Sequence, residues 1–193
     1  SSTLINQYGI SGNTSESNGG GVFLDQGAKL NIYGQQFCFF DVCYGDNSEP
    51  VNITNNKAYD HTVYEHYGNG GGIYVFAFNT GTEVYMQGVL INENRADIRG
   101  GGLYAIGAEV NIQKADKSCW DNIRCNFIQG NEATNSEDDN TLGGGMYFKA
   151  STTNFNHTVF EDNRADNGTA VVLDNTSGNF SGSVFNNNGN LYY

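Results

Sequence analysis

One pattern constrains this chain above all others: three glycines, an apolar residue and an aromatic one, at Gly19 to Phe23, Gly70 to Tyr74, Gly100 to Tyr104 and Gly143 to Tyr147. Weaker copies follow at Gly168 to Val172 and Gly189 to Tyr192. A second motif, apolar-x-x-Asn, precedes each of them, at Ile10/Asn13, Ile53/Asn56, Ile91/Asn94, Ile128/Asn131, Phe160/Asn163 and Phe185/Asn188. Two motifs alternating along a chain are the mark of a repeat architecture. The Asn-to-Asn spacings are 43, 38, 37, 32 and 25 residues, so the shortest complete unit holds three short strands and three turns. Such a unit cannot bury its own apolar face, and copies must stack in parallel register about 4.8 Å apart. The sequence therefore predicts an all-β fold, a parallel β-helix of six coils in a single domain over 1–193.

Each motif has a physical reason. Asn tolerates the left-handed region at a turn, and stacked Asn amides can bond to the copies above and below. Asn13, Asn56, Asn94, Asn131, Asn163 and Asn188 are thus expected to form a ladder. The glycines permit a sharp turn and a close approach of neighbouring coils. Two positions past the Asn stand Ser15, Ala58, Ala96, Ala133 and Ala165, where only small side chains occur. Just after the Asn come Lys57, Arg95, Glu132 and Arg164, an expected solvent-exposed charge ladder. Alternating stretches such as Leu30-Asn31-Ile32 and Val110-Asn111-Ile112 read as strands. In the glycine motif Val22/Leu24, Ile73/Val75 and their equivalents are expected inside. Phe23, Tyr74, Tyr104, Tyr147, Val172 and Tyr192 are expected outside, as an external aromatic ladder.

Composition excludes some functions. With 28 Asn and 26 Gly among 193 residues, long helices are ruled out. Nine Lys and Arg against 21 Asp and Glu give a net charge of −12, which disfavours nucleic acid. No apolar run reaches the ~18–20 residues of a membrane span, so no membrane insertion by this segment is expected. Cys38 pairs in sequence with Cys43, and Cys119 with Cys125; local disulfides are expected, although four cysteines allow three connectivities. Sequons at Asn13, Asn52, Asn156, Asn167, Asn175 and Asn179 are candidate N-glycosylation acceptors, and with the cysteines they point to a secreted, extracellular protein.

The coupling of Gly-Gly-x-apolar to apolar-x-x-Asn resembles the polymorphic outer-membrane protein repeat of bacterial autotransporter passengers and related surface proteins. The clearest stretches are Ile10 to Val22, Ile91 to Tyr104 and Phe160 to Leu173. The resemblance implies a right-handed parallel β-helix serving adhesion or surface coating, with no catalytic residues to carry over. The chain departs from it in having Ile where Phe is usual at four of six positions, and in its glycine triplets.

Insertions carry the remaining signals. Those at 34–50 and 113–126 leave at one corner, each with a Cys pair and, between them, Phe37, Phe39, Phe40, Tyr44 and Trp120, either folded down as satellite cores or offered to a partner. Those at 59–69 and 134–142 leave at the opposite corner. Asp60, His61, Glu65 and His66 form a weak metal pattern, and Glu137, Asp138 and Asp139 a weak Ca²⁺ pattern; no metal or cofactor is expected.

Three functions compete. The leading expectation is a non-catalytic structural or adhesive surface protein that stacks into, or decorates, a filament, sheath or coat. Its partners would be further copies, other surface proteins or glycans. The chain opens on Ser1 and stops partway through a glycine motif at Tyr193, which suggests a segment of a longer solenoid or a filament subunit. A carbohydrate-binding module using the outer Tyr ladder is the second. A polysaccharide lyase or hydrolase is the third; its best carboxylate pair, Asp97 and Asp166, is separated by Thr134 in the same column, about 9–10 Å along the axis.

Overall fold

A computed structural model describes residues 2–6, 9–33, 38–39, 42–43, 50–59, 68–78, 81–113, 126–135 and 140–190. Every named strand among them lies in a parallel sheet except Cys38–Phe39 and Val42–Cys43, which pair antiparallel. Four parallel sheets run along the stack, and in each the strands succeed one another in chain order, as consecutive coils of a solenoid do.

The glycine-motif sheet holds Val22–Leu24, Ile73–Phe76, Leu103–Ile106, Met146–Lys149 and Val171–Asp174. Next comes the alternating sheet, Ser2–Asn6, Lys29–Tyr33, Glu83–Gln87, Glu109–Gln113, Thr152–Asn156 and Ser177–Ser181. The apolar sheet follows, Ile10–Ser11, Val51–Thr54, Val89–Asn92, Asn126–Gln129, Thr158–Glu161 and Val184–Asn186. Two-residue strands from Thr14–Ser15 to Gly189–Asn190 form the fourth. A coil therefore has four strands where the sequence suggests three. The pair of residues after each ladder Asn is too short to show alternation, yet its Ala column is buried in register, Ala58 on Ala96 on Ala133.

Inward side chains from three sheets form one core. Its columns stack like on like: Ile53 on Ile91 on Ile128 on Phe160, and Ile32 on Met86 on Ile112 on Phe155. All are fully buried. The column Val75, Ala105, Phe148 varies in bulk, and Phe148, Phe155 and Phe160 fill the later coil edge to face at 5.8 and 5.5 Å. Glycines close the turn: a Cβ on Gly21 or Gly102 would stand 2.7 Å from the carbonyl oxygen of Gly72 or Gly145 in the next coil. Only glycine allows that approach.

Candidate functional site: ladders and outer faces

The ladder asparagines lie one above another at the turn leaving the apolar sheet. In each from Asn13 to Asn163, the backbone N–H and the side-chain Nδ2 both donate to Oδ1 of the Asn in the following coil. The distances are 3.1 and 2.9 Å for Asn13 to Asn56, 3.1 and 3.0 Å for Asn94 to Asn131, and 3.1 and 2.9 Å for Asn163 to Asn188. The second Nδ2 hydrogen reaches back to a carbonyl of the preceding coil, Ile53 for Asn94 and Ile91 for Asn131, at 2.7 and 2.8 Å. Asn56, Asn94, Asn131 and Asn163 are fully buried, so these amides serve the stack and face no ligand.

The left-handed conformation falls one residue earlier than the sequence suggests. Gly12, Asn55, Glu93, Gly130, Asp162 and Asn187, each directly before a ladder Asn, have φ of 67°, 55°, 52°, 60°, 53° and 48°. The Asn itself turns inward to bond its neighbours, and the residue before it absorbs the bend.

The aromatic ladder stacks: Phe23 on Tyr74, Tyr74 on Tyr104 and Tyr104 on Tyr147, with centroids 5.0, 5.3 and 5.2 Å apart and planes within 19°, 7° and 10°. It is external to the sheet and largely closed to solvent. Tyr74, Tyr104 and Tyr147 are 8%, 6% and 5% exposed, because the ring faces meet each other and Phe76, Ile106, Leu142 and Val172 pack around them. Among the described aromatic rungs, Phe23, at 56%, offers a face. Burial raises the phenol pKa of Tyr74 and Tyr104, and pushes Tyr147 up to about 12, aided by its 2.9 Å hydrogen bond to the Asp174 carboxylate. Tyr192 lies outside the described residues.

The charged column Lys57, Arg95, Glu132, Arg164 is in register. Among the described residues the ion pairs within 4 Å lie elsewhere, Lys29–Glu83 at 2.8 Å and Lys149–Asp174 at 3.8 Å. Asp97 and Asp166 do not converge. The coil of Thr134 separates them, and the Asp166 carboxylate accepts the N–H and hydroxyl of Thr141, at 3.0 and 2.5 Å. Among the described residues no three His, Cys, Asp or Glu gather into a metal site. Asp60, His61, Glu65, His66, Glu137, Asp138 and Asp139 lie outside them, as do Cys119 and Cys125. The backbone sets Cys38 opposite Cys43.

Of the sequons, Asn52, Asn167, Asn175 and Asn179 are exposed, and Asn156 is half-buried with Oδ1 against the His157 ring. Asn13 is exposed too, but its Nδ2 is engaged by Ser11 and Asn56, so a glycan there would displace a rung.

A hydroxyl ladder at the corner before the alternating sheet is not evident in the sequence. Gly27 N–H donates to Thr82 Oγ1, Ala108 N–H to Ser151 Oγ and Ser151 N–H to Thr176 Oγ1, at 2.9, 3.3 and 3.1 Å. Its column reads Ala28, Thr82, Ala108, Ser151 and Thr176, with alanine in two coils, so the sequence offers only a small residue before each alternating strand as a signal.

No curated protein and no solved structure shows a significant match to the chain. Residues 50–75, which span one ladder Asn and one glycine motif, match the Chlamydia polymorphic membrane protein repeat.

Proposed function

We propose that this chain is a non-catalytic cell-surface protein in which a right-handed β-helix serves as a structural or adhesive rod, secreted and displayed outside the cell. The observation that carries the reading is the match of residues 50–75 to a repeat of surface membrane proteins, with the apolar-x-x-Asn motif in register through six coils and the glycine motif through five; Gly189 pairs instead with Arg164 in the two-residue-strand sheet. Stacking on further copies or on other surface proteins of filament, sheath or coat type suits an in-register solenoid. The cysteine pairs would staple the insertions, and Asn52, Asn167 and Asn175 are the sequons best placed for glycans, since Asn179 Nδ2 donates to Asn154. Less support stands behind the two rivals. Sugar stacking on the Tyr ladder is disfavoured by ring faces that are already occupied, and polysaccharide cleavage by the separation of Asp97 from Asp166.

Antibody labelling of intact against permeabilised source cells tests the location. Equal signal in both, removed by external protease, is expected; signal only after permeabilisation would overturn the reading.

A further inference from the structure

The outer faces of the solenoid differ in what they leave available. The glycine-motif sheet closes over its Tyr stack, the two-residue strands carry the charged column, and the apolar sheet turns Leu90, Phe127 and Val159 outward. The alternating sheet is unlike all three. Its outward centre is a column of Asn31, Tyr85, Asn111, Asn154 and Asn179 in unbroken register. Beside it run Tyr33, Gln87 and Gln113, then Asn156 and Ser181. All are half-buried or exposed, and none is charged in a protein of net charge −12.

This platform is held stiffly. The residues between its outward side chains, Leu30, Ile32, Val84, Met86, Val110, Ile112 and Phe155, are core residues no more than 1% exposed. Gln87 Nε2 donates to the Tyr85 hydroxyl at 2.7 Å, and the Tyr33 ring leans on Tyr85 at 5.7 Å. The amides keep unused capacity. Asn111 spends Nδ2 on Glu109 and Asn179 spends Nδ2 on Asn154 Oδ1, at 2.8 and 3.1 Å, while their own Oδ1 atoms and the whole Asn31 amide have no partner among the described residues.

We propose that this face binds neutral polysaccharide. An amide both donates and accepts, as a sugar hydroxyl does, and a Tyr offers an apolar ring with a polar tip for a pyranose to lie against. Rigid Tyr with adaptable Asn is a composition suited to polar recognition. Amides recur along the stack at the strand spacing of about 4.8 Å, a step comparable to one sugar of an extended β-linked chain. Charge selects among partners: a chain at −12 repels acidic polymers, and the basic group on this face, Lys29, is paired with Glu83 at 2.8 Å, with Glu109 next in the same column. A protein partner would want a buried apolar or Arg anchor, which neither column supplies. The proposal gives the adhesive reading a ligand class and rests on that reading for its biological setting alone.

Affinity electrophoresis of the purified chain through gels containing hydroxyethyl cellulose, galactomannan or glycol chitin, with alginate as the acidic control, tests it. Retardation by at least one neutral polymer and none by alginate is expected. Tyr85→Ala, and separately the pair Asn111→Ala with Asn154→Ala, should weaken retention about tenfold, while Glu132→Gln leaves it unchanged; cooperative unfolding shows that each variant folds. No retardation by any neutral polymer, equal retardation by alginate, or retention that survives both variants would overturn the proposal. Cell-surface labelling is scored independently, so a surface-exposed protein that fails in the gel sinks the ligand and spares the location.

Discussion

Replacing Asn131 by Ala removes a rung from the middle of the buried ladder, and the structure sets the cost. Oδ1 of Asn131 accepts the N–H of Asn94 at 3.1 Å and its Nδ2 at 3.0 Å; Nδ2 of Asn131 donates to Ile91 at 2.8 Å and to Asn163 Oδ1 at 3.0 Å. Part of this survives truncation. Asn163 Oδ1 keeps the backbone N–H of residue 131, at 3.1 Å, and Asn94 Nδ2 keeps Ile53, at 2.7 Å. Two donor hydrogens of Asn94 are nonetheless left unpaired in a site that excludes water. At ~1–3 kcal/mol for each orphaned buried group, the expected loss is about 4 kcal/mol, a large share of the ~5–15 kcal/mol that holds a typical domain. Asn111→Ala, on the outer face of the same coil, should change stability by no more than about 0.5 kcal/mol. Guanidinium unfolding followed by far-UV circular dichroism reads both. A loss at Asn131 below about 1 kcal/mol, or one no greater than at Asn111, would refute the argument that the ladder carries the turn.

Other perturbations probe separate parts of the fold. Gly102→Ala drives a Cβ to 2.7 Å from the Gly145 carbonyl oxygen and 3.1 Å from Ile91, and should cost more than 3 kcal/mol or prevent folding, as thermal melts would show. Glu93, at φ 52°, pays for the left-handed turn that Gly130 adopts freely one coil later, so Glu93→Asn should stabilise by ~0.5–1 kcal/mol in the same unfolding assay. Glu132→Lys sets four cations in register at an exposed edge; a loss of about 0.2–1 kcal/mol that shrinks with added salt is expected. Tyr74, Tyr104 and Tyr147 have raised folded-state pKa values, so their contribution to stability is complete below pH ~10 and is lost as pH rises beyond it, for Tyr147 through about 12. Ultraviolet titration should show these phenols ionising after the exposed tyrosines, and alkaline unfolding should set in across that window.

Much of the stack was legible in the sequence because its columns demand one residue type. Asn at the turn, glycine at the close approach and a small residue beside them admit few substitutes, and so recur visibly. What was hidden depends on neighbours. The two-residue strand after each Asn is too short to alternate, and the hydroxyl corner accepts Thr82, Ser151 or Thr176 without preference. The Tyr column follows the outward phase of its strands, but whether such a ring meets water is decided by the rings above and below it and by Ile106 and Phe76 beside it. The bend at Glu93 and Asp162 carries no glycine to announce it, because the buried amide that follows fixes the turn regardless.

The asparagine column runs one way. Each side-chain oxygen receives hydrogens from the coil before it, and the backbone N–H with one amide hydrogen points to the oxygen of the coil after, so an inverted coil would set oxygen against oxygen. Any unit spanning one asparagine to the next presents the same acceptor below and the same donors above. Copying such a unit in frame, the shortest being the 25 residues between Asn163 and Asn188, would lengthen the rod by one rung that both neighbours already recognise. Length in such a molecule is adjustable in whole turns, with no joint to redesign.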